Sequence, residues 1–260
     1  NLDITNSISE LPTKLKATPD FNNNKQGSII ESLVYIPAML SDTHEQDLAE
    51  KGYTVASNVL TKQECDQAIK EYRTWLANFS DRFPKSFNSI ISSYNTGHME
   101  TTWRLRLRAK PVFEQLWKTY KLLTSVDAIA IGDPEDGAED FLVPGKYLLH
   151  ADTSVSRVGL HAYQGALYME EQRKKDWTLQ VIEGSHKLLN NGLDNNHTKA
   201  EISVRKGLYK LQDEDLEYFE GMKCRIVRVP VPKGGLALWV SRLVHANARP
   251  LPVYLVIVNV

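Results

Sequence analysis

Hydrophobic positions in the first half of the chain recur at helical intervals. After Thr61, which forms a capping box with Glu64, apolar residues three or four positions apart predict an amphipathic helix to about residue 78. The same spacing predicts another helix over about 112–123. Residues 1–45 show no sustained period and are predicted to form an irregular arm. The region 46–140 is therefore expected to be mainly helical support for a sheet located elsewhere.

Two shorter patterns interrupt this helical half. Thr43 and Gln46 have the spacing of a capping box and predict a short helix ending at Lys51, with a strand at 53–56 directly after it. Further along, basic and apolar residues alternate over 104–110. Alternation is typical of a strand, so this segment is predicted to present a solvated face or a basic rim that meets an anionic substrate.

After residue 140 the apolar residues form short or alternating runs separated by Gly, Pro and Asp. The predicted strands are 141–150, 158–170, 177–182, 225–230, 236–240 and 253–259. Many short strands with turn signals between them are typical of an antiparallel sandwich or barrel. The polar stretch 190–215 is predicted to be a long connection. We therefore expect a mainly β fold with flanking helices, in which residues 46–260 form a single domain and about 141–260 its core.

Composition and charge narrow the classes of partner. The formal net charge is -1 over 260 residues, so no basic field favours nucleic acid or anionic lipid. No apolar run reaches the roughly 18 to 20 residues of a membrane-spanning helix. Cys65 and Cys224 lie outside any zinc or disulfide spacing, which favours a reducing compartment. We expect a cytoplasmic protein with a small-molecule partner. The sequence begins with Asn1 and not with Met, so targeting to an organelle by residues ahead of Asn1 is the alternative.

Ligand-type side chains stand at the ends of two predicted strands. His150 and Asp152 are two residues apart after an apolar run, so they should project to the same side of the chain. His245, at the end of another predicted strand, is the best candidate for a third ligand. Two imidazoles and one carboxylate on one face of Fe(II) leave three positions open for a bidentate oxo-acid and dioxygen. A structural zinc site would instead take four protein ligands.

Several stretches, taken in order, resemble a known family. Residues 52–65 are similar to its glycine-aromatic strand and capped helix, and 150–152 match its iron motif. Residues 159–165 and 181–187 are similar to its central strands, and 238–245 to the strand that brings the second histidine. Over about residues 52–258 the chain resembles the phytanoyl-CoA dioxygenase-like family of Fe(II)/2-oxoglutarate oxygenases.

The resemblance implies a fold, a metal and a reaction. The fold is a double-stranded β-helix, a cupin-like jelly roll. His150, Asp152 and His245 would be the catalytic metal ligands for Fe(II), with 2-oxoglutarate and O2 as co-substrates. The default outcome is hydroxylation of a small organic substrate with release of succinate and CO2, although desaturation, ring closure and demethylation use the same chemistry. Asp152 argues against the halogenating variant, in which a small residue replaces the carboxylate.

The anchor for the co-substrate is where the chain departs from the family. The family binds the far carboxylate of 2-oxoglutarate with an arginine after the distal histidine, and Arg249 is the only arginine after that position here. The alternatives are an arginine in a segment missing before Tyr254, or Arg242, whose side chain should point outward. Gln164 and Tyr147 are further candidates for contact with the co-substrate.

Other readings of the chain stay open. The remaining histidines are expected to be structural or exposed rather than ligands: His44, His98, His161, His186 and His197. Two other functions are compatible with the sequence. One is a non-catalytic barrel that binds a partner, and the other is a cupin-type metalloenzyme that does not use 2-oxoglutarate.

Overall fold

Two antiparallel sheets face each other at the centre of the protein. The computed structural model describes residues 40–79, 83–132, 148–154, 157, 159–189, 201 and 208–251. In these residues the helices are α1 (Asp42–Glu50), α2 (Lys62–Leu76), α3 (Glu100–Trp117) and α4 (Asp213–Gly221). The strands are β1 (Tyr53–Ala56), β2 (Ile90–Ile91), β3 (Ile129–Ala130), β4 (His150–Ala151), β5 (Tyr163–Leu167), β6 (Thr178–Ile182), β7 (Tyr209–Lys210), β8 (Ile226–Val229), β9 (Leu236–Val240) and β10 (His245–Ala248).

The strand order is not the order along the chain. One sheet has the order β1-β9-β5 and the other β7-β4-β10-β6-β8, while β2 and β3 form a separate pair. All pairings are antiparallel, and the register sets His245 opposite both His150 and Val181. This architecture confirms the predicted class, a mainly β jelly roll with flanking helices.

The space between the two sheets is filled by the side chains of alternate strand positions. Ala237 and Trp239 of β9 pack with Leu179 and Val181 of β6 and with Val229 of β8. Because successive residues of a strand point to opposite faces, Leu236 and Leu238 lie on the other face of β9. There they pack under α1 and α3, against a group that includes Leu48, Ala109 and Val112.

The outer face of the five-stranded sheet has its own apolar cover. Ile182 and Ala246 pack with Leu189, Tyr209 and Phe219, the last from α4. Asp215, in the first turn of α4, ties this helix to β7. Its Oδ2 accepts hydrogen bonds from the Tyr209 hydroxyl and from the backbone N–H of Gln212. The five-stranded sheet is thus buried on both faces at its centre.

The structure corrects the prediction for residues 104–110, which form part of α3 and not a strand. Leu105, Ala109 and Val112 are buried at helical spacing, and α3 runs from Glu100 through Pro111 to Trp117. The helix predicted over 112–123 therefore overlaps only the last part of α3, which ends at Trp117, six residues before the predicted end. Pro111 lacks the N–H that would bond the Leu107 carbonyl, and Leu107 is exposed, so water is available to that carbonyl.

Other boundaries also differ. The cap of α1 is Ser41, whose N–H donates to His44 Nδ1, and not Thr43 with Gln46. The predicted connection 190–215 contains β7 and the start of α4. Of the predicted arm 1–45, residues 42–45 belong to α1 and residues 1–39 lie outside the described residues, as do most of the predicted strand 141–150 and the predicted strand 253–259. No helix among the described residues is both long and apolar enough to cross a bilayer.

Candidate metal centre

Three ligand-type side chains converge between the sheets, at the pairing of β4 with β10. His150 lies in β4 directly opposite His245, and Asp152 follows two residues after His150. His150 Nε2 is 3.4 Å from Asp152 Oδ1, and His245 Nε2 is 3.5 Å from Asp152 Oδ2. One atom from each of the three side chains lies within 4.8 Å of the others. The structure therefore brings together the three predicted ligands, although His245 begins strand β10 and does not end the preceding strand.

Both imidazoles are oriented by backbone carbonyls. His150 Nδ1 is 2.8 Å from the Leu148 carbonyl oxygen, and His245 Nδ1 is 2.9 Å from the Leu243 carbonyl oxygen. A carbonyl oxygen only accepts, so each Nδ1 carries the proton and donates it. In the neutral rings each Nε2 then presents a lone pair towards Asp152. This is the arrangement in which a hydrogen bond on one ring nitrogen prepares the other for a metal.

The electrostatics favour the metal-binding protonation states. Burial, and then the nearby His245, lowers the pKa of His150, which keeps this ring neutral near pH 7. For Asp152, burial is the largest single influence and acts to raise the pKa. A proton on His245 or His150 would place a positive charge beside the carboxylate, and the Gln164 amide donates a hydrogen bond to it. These influences outweigh burial, so the pKa of Asp152 lies below its usual range.

The donor set fits a divalent cation. Two Nε2 lone pairs and a carboxylate are all acceptors, and acceptors that converge at this distance repel one another unless a proton or a cation lies between them. Nitrogen and oxygen donors on one face, without a thiolate, match the two-histidine, one-carboxylate set of non-haem iron sites. Among the described residues, these three form the group of His, Cys, Asp and Glu side chains that is able to hold a metal.

Gln164 and Trp239 lie against the triad from the three-stranded sheet. Gln164 Nε2 donates to Asp152 Oδ2 at 2.8 Å, and Trp239 Nε1 donates to Gln164 Oε1 at 2.8 Å. The Trp239 ring also lies 5.1 Å from the His245 ring, centroid to centroid. Gln164 was predicted from the sequence to contact the co-substrate, whereas Trp239 was missed. The alternation of β9 could have placed Trp239 on the inner face, but it could not have shown which residue the indole meets.

Arg249 lies at the end of a polar row beside His245. Its Nε donates to Asn88 Oδ1 at 3.2 Å, and its guanidinium lies 5.8 Å from the centre of the Trp177 ring. With a period of two, Asn247 shares the face of β10 that carries His245, and Arg249 directly follows the end of the strand at Ala248. Asn247 Nδ2 in turn donates to Ser89 Oγ and the Asn88 carbonyl. The tight turn at Asn88 and Ser89, just before β2, was not predicted from the sequence, and it extends this polar row.

The other candidate residues lie elsewhere. Arg242 donates to the backbone carbonyls of Arg157 and His186, outside the triad. His186 Nε2 bonds to the Ala49 carbonyl, and His161 is exposed. Tyr147 and His197 lie outside the described residues. Arg242, His161 and His186 therefore lie outside the triad.

Comparison with known proteins identifies the family of this chain. The family profile for phytanoyl-CoA dioxygenase (PhyH) matches residues 48–249, and the chain belongs to this family. The Ava biosynthesis cluster protein O of Aspergillus versicolor is 23% identical over 214 residues, which cover 75% of this chain and 68% of that protein.

Solved structures show the same fold at low identity. The GlcNAc-inducible protein GIG2 of Candida albicans has a TM-score of 0.54 and 14% identity, covering 81% of this chain but only 60% of that one. The carbocyclase SnoK has a TM-score of 0.51 and 16% identity, covering 81% of this chain and 78% of that one. The epimerase SnoN, solved with Fe3+, α-ketoglutarate and a nogalamycin compound, has a TM-score of 0.52 and 17% identity, covering 80% and 77%. The expected cofactors, iron and 2-oxoglutarate, agree with the family and with the donor set of the triad.

Proposed function

We propose that this protein is an Fe(II)- and 2-oxoglutarate-dependent oxygenase that oxidises a small organic molecule, with hydroxylation as the default outcome and succinate and CO2 as co-products. The observation that carries the proposal is the convergence of His150, Asp152 and His245, with both Nδ1 atoms held by backbone carbonyls. The family assignment supports the same chemistry.

The protein's part in this reaction is to hold, orient and shield. His150 and His245 would bind the iron through Nε2 and Asp152 through a carboxylate oxygen, which leaves one face open for the co-substrates. Bound iron would supply the activation of dioxygen, coupled to oxidative decarboxylation of the oxo-acid. The apolar side chains between the sheets, among them Leu179, Val181 and Val229, exclude water from this space.

The polar row on β10 is the proposed side for the far carboxylate of 2-oxoglutarate. Arg249 directly follows the end of the strand that begins at His245, and a guanidinium can bind a carboxylate through two parallel hydrogen bonds. Asn247 lies between the two residues, and its amide holds Asn88 and Ser89 beside them. In this proposal the Arg249 guanidinium leaves Asn88 Oδ1 when the carboxylate arrives.

From the relatives we propose that the substrate is a small organic molecule of a biosynthetic pathway. One relative belongs to a biosynthesis cluster, and two structural neighbours are named as a carbocyclase and an epimerase of nogalamycin biosynthesis. Hydroxylation is the default because it needs no further residue to redirect the reaction. A product assay should therefore look for ring closure and epimerisation as well as for added oxygen.

The test is an anaerobic titration of the protein with Fe(II) and 2-oxoglutarate, followed by visible absorption. A chelated oxo-acid at an open facial site gives a weak charge-transfer band, which we expect in the wild type and not in Asp152→Ala. Asp66→Ala is the matched control, because Asp66 is an exposed carboxylate of α2 paired with Lys233, and it should keep the band. Iron binding without the band in the wild type would refute the use of 2-oxoglutarate and favour the cupin-type alternative.

A further inference from the structure

The side chain of Asp152 lies where its own strand gives it little support. Strand β4 ends at Ala151, so Asp152 stands just beyond the ladder that pairs His150 with His245 and Lys210. A carboxylate in that place has two free torsions, and both of its oxygens could turn towards a metal. The two histidines, by contrast, have their rings fixed by carbonyl bonds. Some other contact must therefore set the orientation of the carboxylate.

That contact comes from the opposite sheet. Gln164 and Trp239 are direct cross-strand partners on β5 and β9, with their side chains on the same face. The indole N–H only donates, so the atom it meets at 2.8 Å is the Gln164 oxygen. The amide nitrogen is then directed at Asp152 Oδ2, also at 2.8 Å. The hydrogen bonding of Trp239 thus removes the usual ambiguity between the two ends of a glutamine amide.

Trp239 is itself held firmly. It is 8% exposed within a strand whose five residues are all buried, and it lies between β1 and β5 with Tyr53 as its partner on the other side. Its ring also contacts His245. The indole therefore touches one ligand directly and a second ligand through the amide.

We infer that Trp239 and Gln164 act as positioning residues that hold Asp152 in the orientation needed for one-oxygen metal binding, an inference that rests on the proposed function. The amide donates to Oδ2, the oxygen that faces His245 Nε2 at 3.5 Å, and so fixes the rotation of the carboxylate; we assign Oδ1, 3.4 Å from His150 Nε2, as the oxygen that meets the cation. One-oxygen binding keeps coordination positions open for the co-substrates. Both ends of the Gln164 amide are engaged within the protein, which favours this role over direct contact with 2-oxoglutarate.

The first experiment measures anaerobic Fe(II) affinity. Outer partners of metal ligands typically contribute 10- to 100-fold to metal affinity, so Gln164→Leu should weaken Fe(II) binding by about that factor. It should also shift or weaken the charge-transfer band with 2-oxoglutarate. Trp239→Phe keeps a ring beside His245 but loses the N–H, and it should have a smaller effect in the same direction. Because the two residues act in series, the double variant should be little worse than Gln164→Leu alone.

Matched variants separate this role from a general effect on the sheet. Gln180→Leu removes a partly buried strand glutamine on the opposite face of β6, across from Ala246, and should leave both affinity and band unchanged. If Gln164→Leu fails to fold, Gln164→Asn takes its place, because its amide is one methylene too short to meet both partners. Wild-type affinity and an unchanged band in the Gln164 variant would overturn the inference.

A metal-free measurement distinguishes failure of the inference from failure of the proposed function. In the 15N-labelled apo protein, the Trp239 indole N–H is assigned by its loss in Trp239→Phe. Its resonance should move in Gln164→Leu and, by a smaller amount, in Asp152→Ala, because the three groups form one chain of hydrogen bonds. No movement in either variant would overturn the inference. If the resonance moves while the wild type binds no Fe(II), the hydrogen-bonded hold of Trp239 and Gln164 on Asp152 stands and the proposed function falls.

Discussion

The two sheets differ in what they contribute to the metal centre. The five-stranded sheet carries both histidines and, just past β4, the carboxylate. The three-stranded sheet contributes no ligand among its described residues, but its Gln164 and Trp239 hold the carboxylate. Ligand chemistry is thus concentrated on one side and orientation comes from the other. One sheet can thus carry all the ligand-type side chains while the orientation of one of them depends on the facing sheet.

The largest expected effect tests the side that carries the ligands. His150→Ala should reduce 2-oxoglutarate turnover by more than about 100-fold, beyond what loss of an outer partner costs, because two ligands cannot hold the ion in place. The far-UV circular dichroism should stay that of the wild type. Turnover is followed as succinate release, with His98→Ala as the control, since His98 is exposed. Retained turnover in His150→Ala would remove this residue from the metal site.

A second prediction concerns the outer face of the three-stranded sheet. Leu238 is fully buried beneath α1 and α3, so Leu238→Ala should lower the free energy of unfolding by about 2–5 kcal/mol. Leu107→Ala, on the exposed face of α3, should change it by less than about 0.5 kcal/mol. Urea unfolding of the metal-free proteins checks both values. Equal losses in the two variants would show that the helices do not cover this sheet as described.

A third prediction concerns the polar row on β10. Arg249→Ala should raise the KM for 2-oxoglutarate by roughly 10- to 150-fold, corresponding to the 1.5–3 kcal/mol of a hydrogen bond to a charged group. Fe(II) affinity without co-substrate should hardly change, because the Arg249 side chain lies against Asn88 and Trp177 and is not one of the three proposed ligands. Arg173→Ala is the control, because Arg173 is an exposed arginine paired with Asp176. An unchanged KM in Arg249→Ala would assign the anchor to another residue.

The smallest expected effect concerns His186, which links the turn after β6 to Ala49 of α1. Burial, more than its neighbouring charges, lowers the pKa of His186, while the hydrogen bond to Ala49 acts in the opposite direction. Below about pH 6.5 His186 therefore binds a proton in the unfolded chain, whereas in the folded protein it binds one only at lower pH. Stability should fall as the pH decreases from 6.5 towards the folded pKa and should not change on this account above 6.5.

The measurement for His186 is urea unfolding of the metal-free protein at pH 7.5 and 5.5. One proton changes stability by at most about 1.4 kcal/mol per pH unit. His186→Gln can still donate to the Ala49 carbonyl but does not titrate, so it should show a smaller difference between the two pH values. His98→Gln should behave as the wild type. A wild-type pH dependence in His186→Gln would assign the acid sensitivity to other groups, with His150 the first to examine, since its pKa is also lowered.

The convergence of His150, Asp152 and His245 could be predicted because the His-x-Asp spacing and the nearness of His245 to a strand are visible in the chain. Gln164 could be named but its partner could not, since the contact to Asp152 depends on how closely two sheets approach. Trp239 reads as ordinary packing in a run of apolar residues. An amide or an indole carries no signature of its role until the facing layer is known.

The errors in the fold also have physical causes. The alternation of Arg104, Leu105, Arg106 and Leu107 imitates a strand over a short window, whereas the buried positions 105, 109 and 112 follow a helix over a longer one. The hairpin at Asn88 and Ser89 has two residues of positive φ, the geometry of a tight primed turn, but lacks the glycine that usually signals it. Local composition was consistent with both structures in each case.

The pairing of His150 with His245 has a consequence for how the protein matures. The two residues meet through a single ladder position, and a slip of one residue would turn His245 to the opposite face of its strand. A misregistered or half-assembled chain therefore presents two ligands at most. All three side chains would then converge on an ion only after β4 and β10 have paired in the correct register.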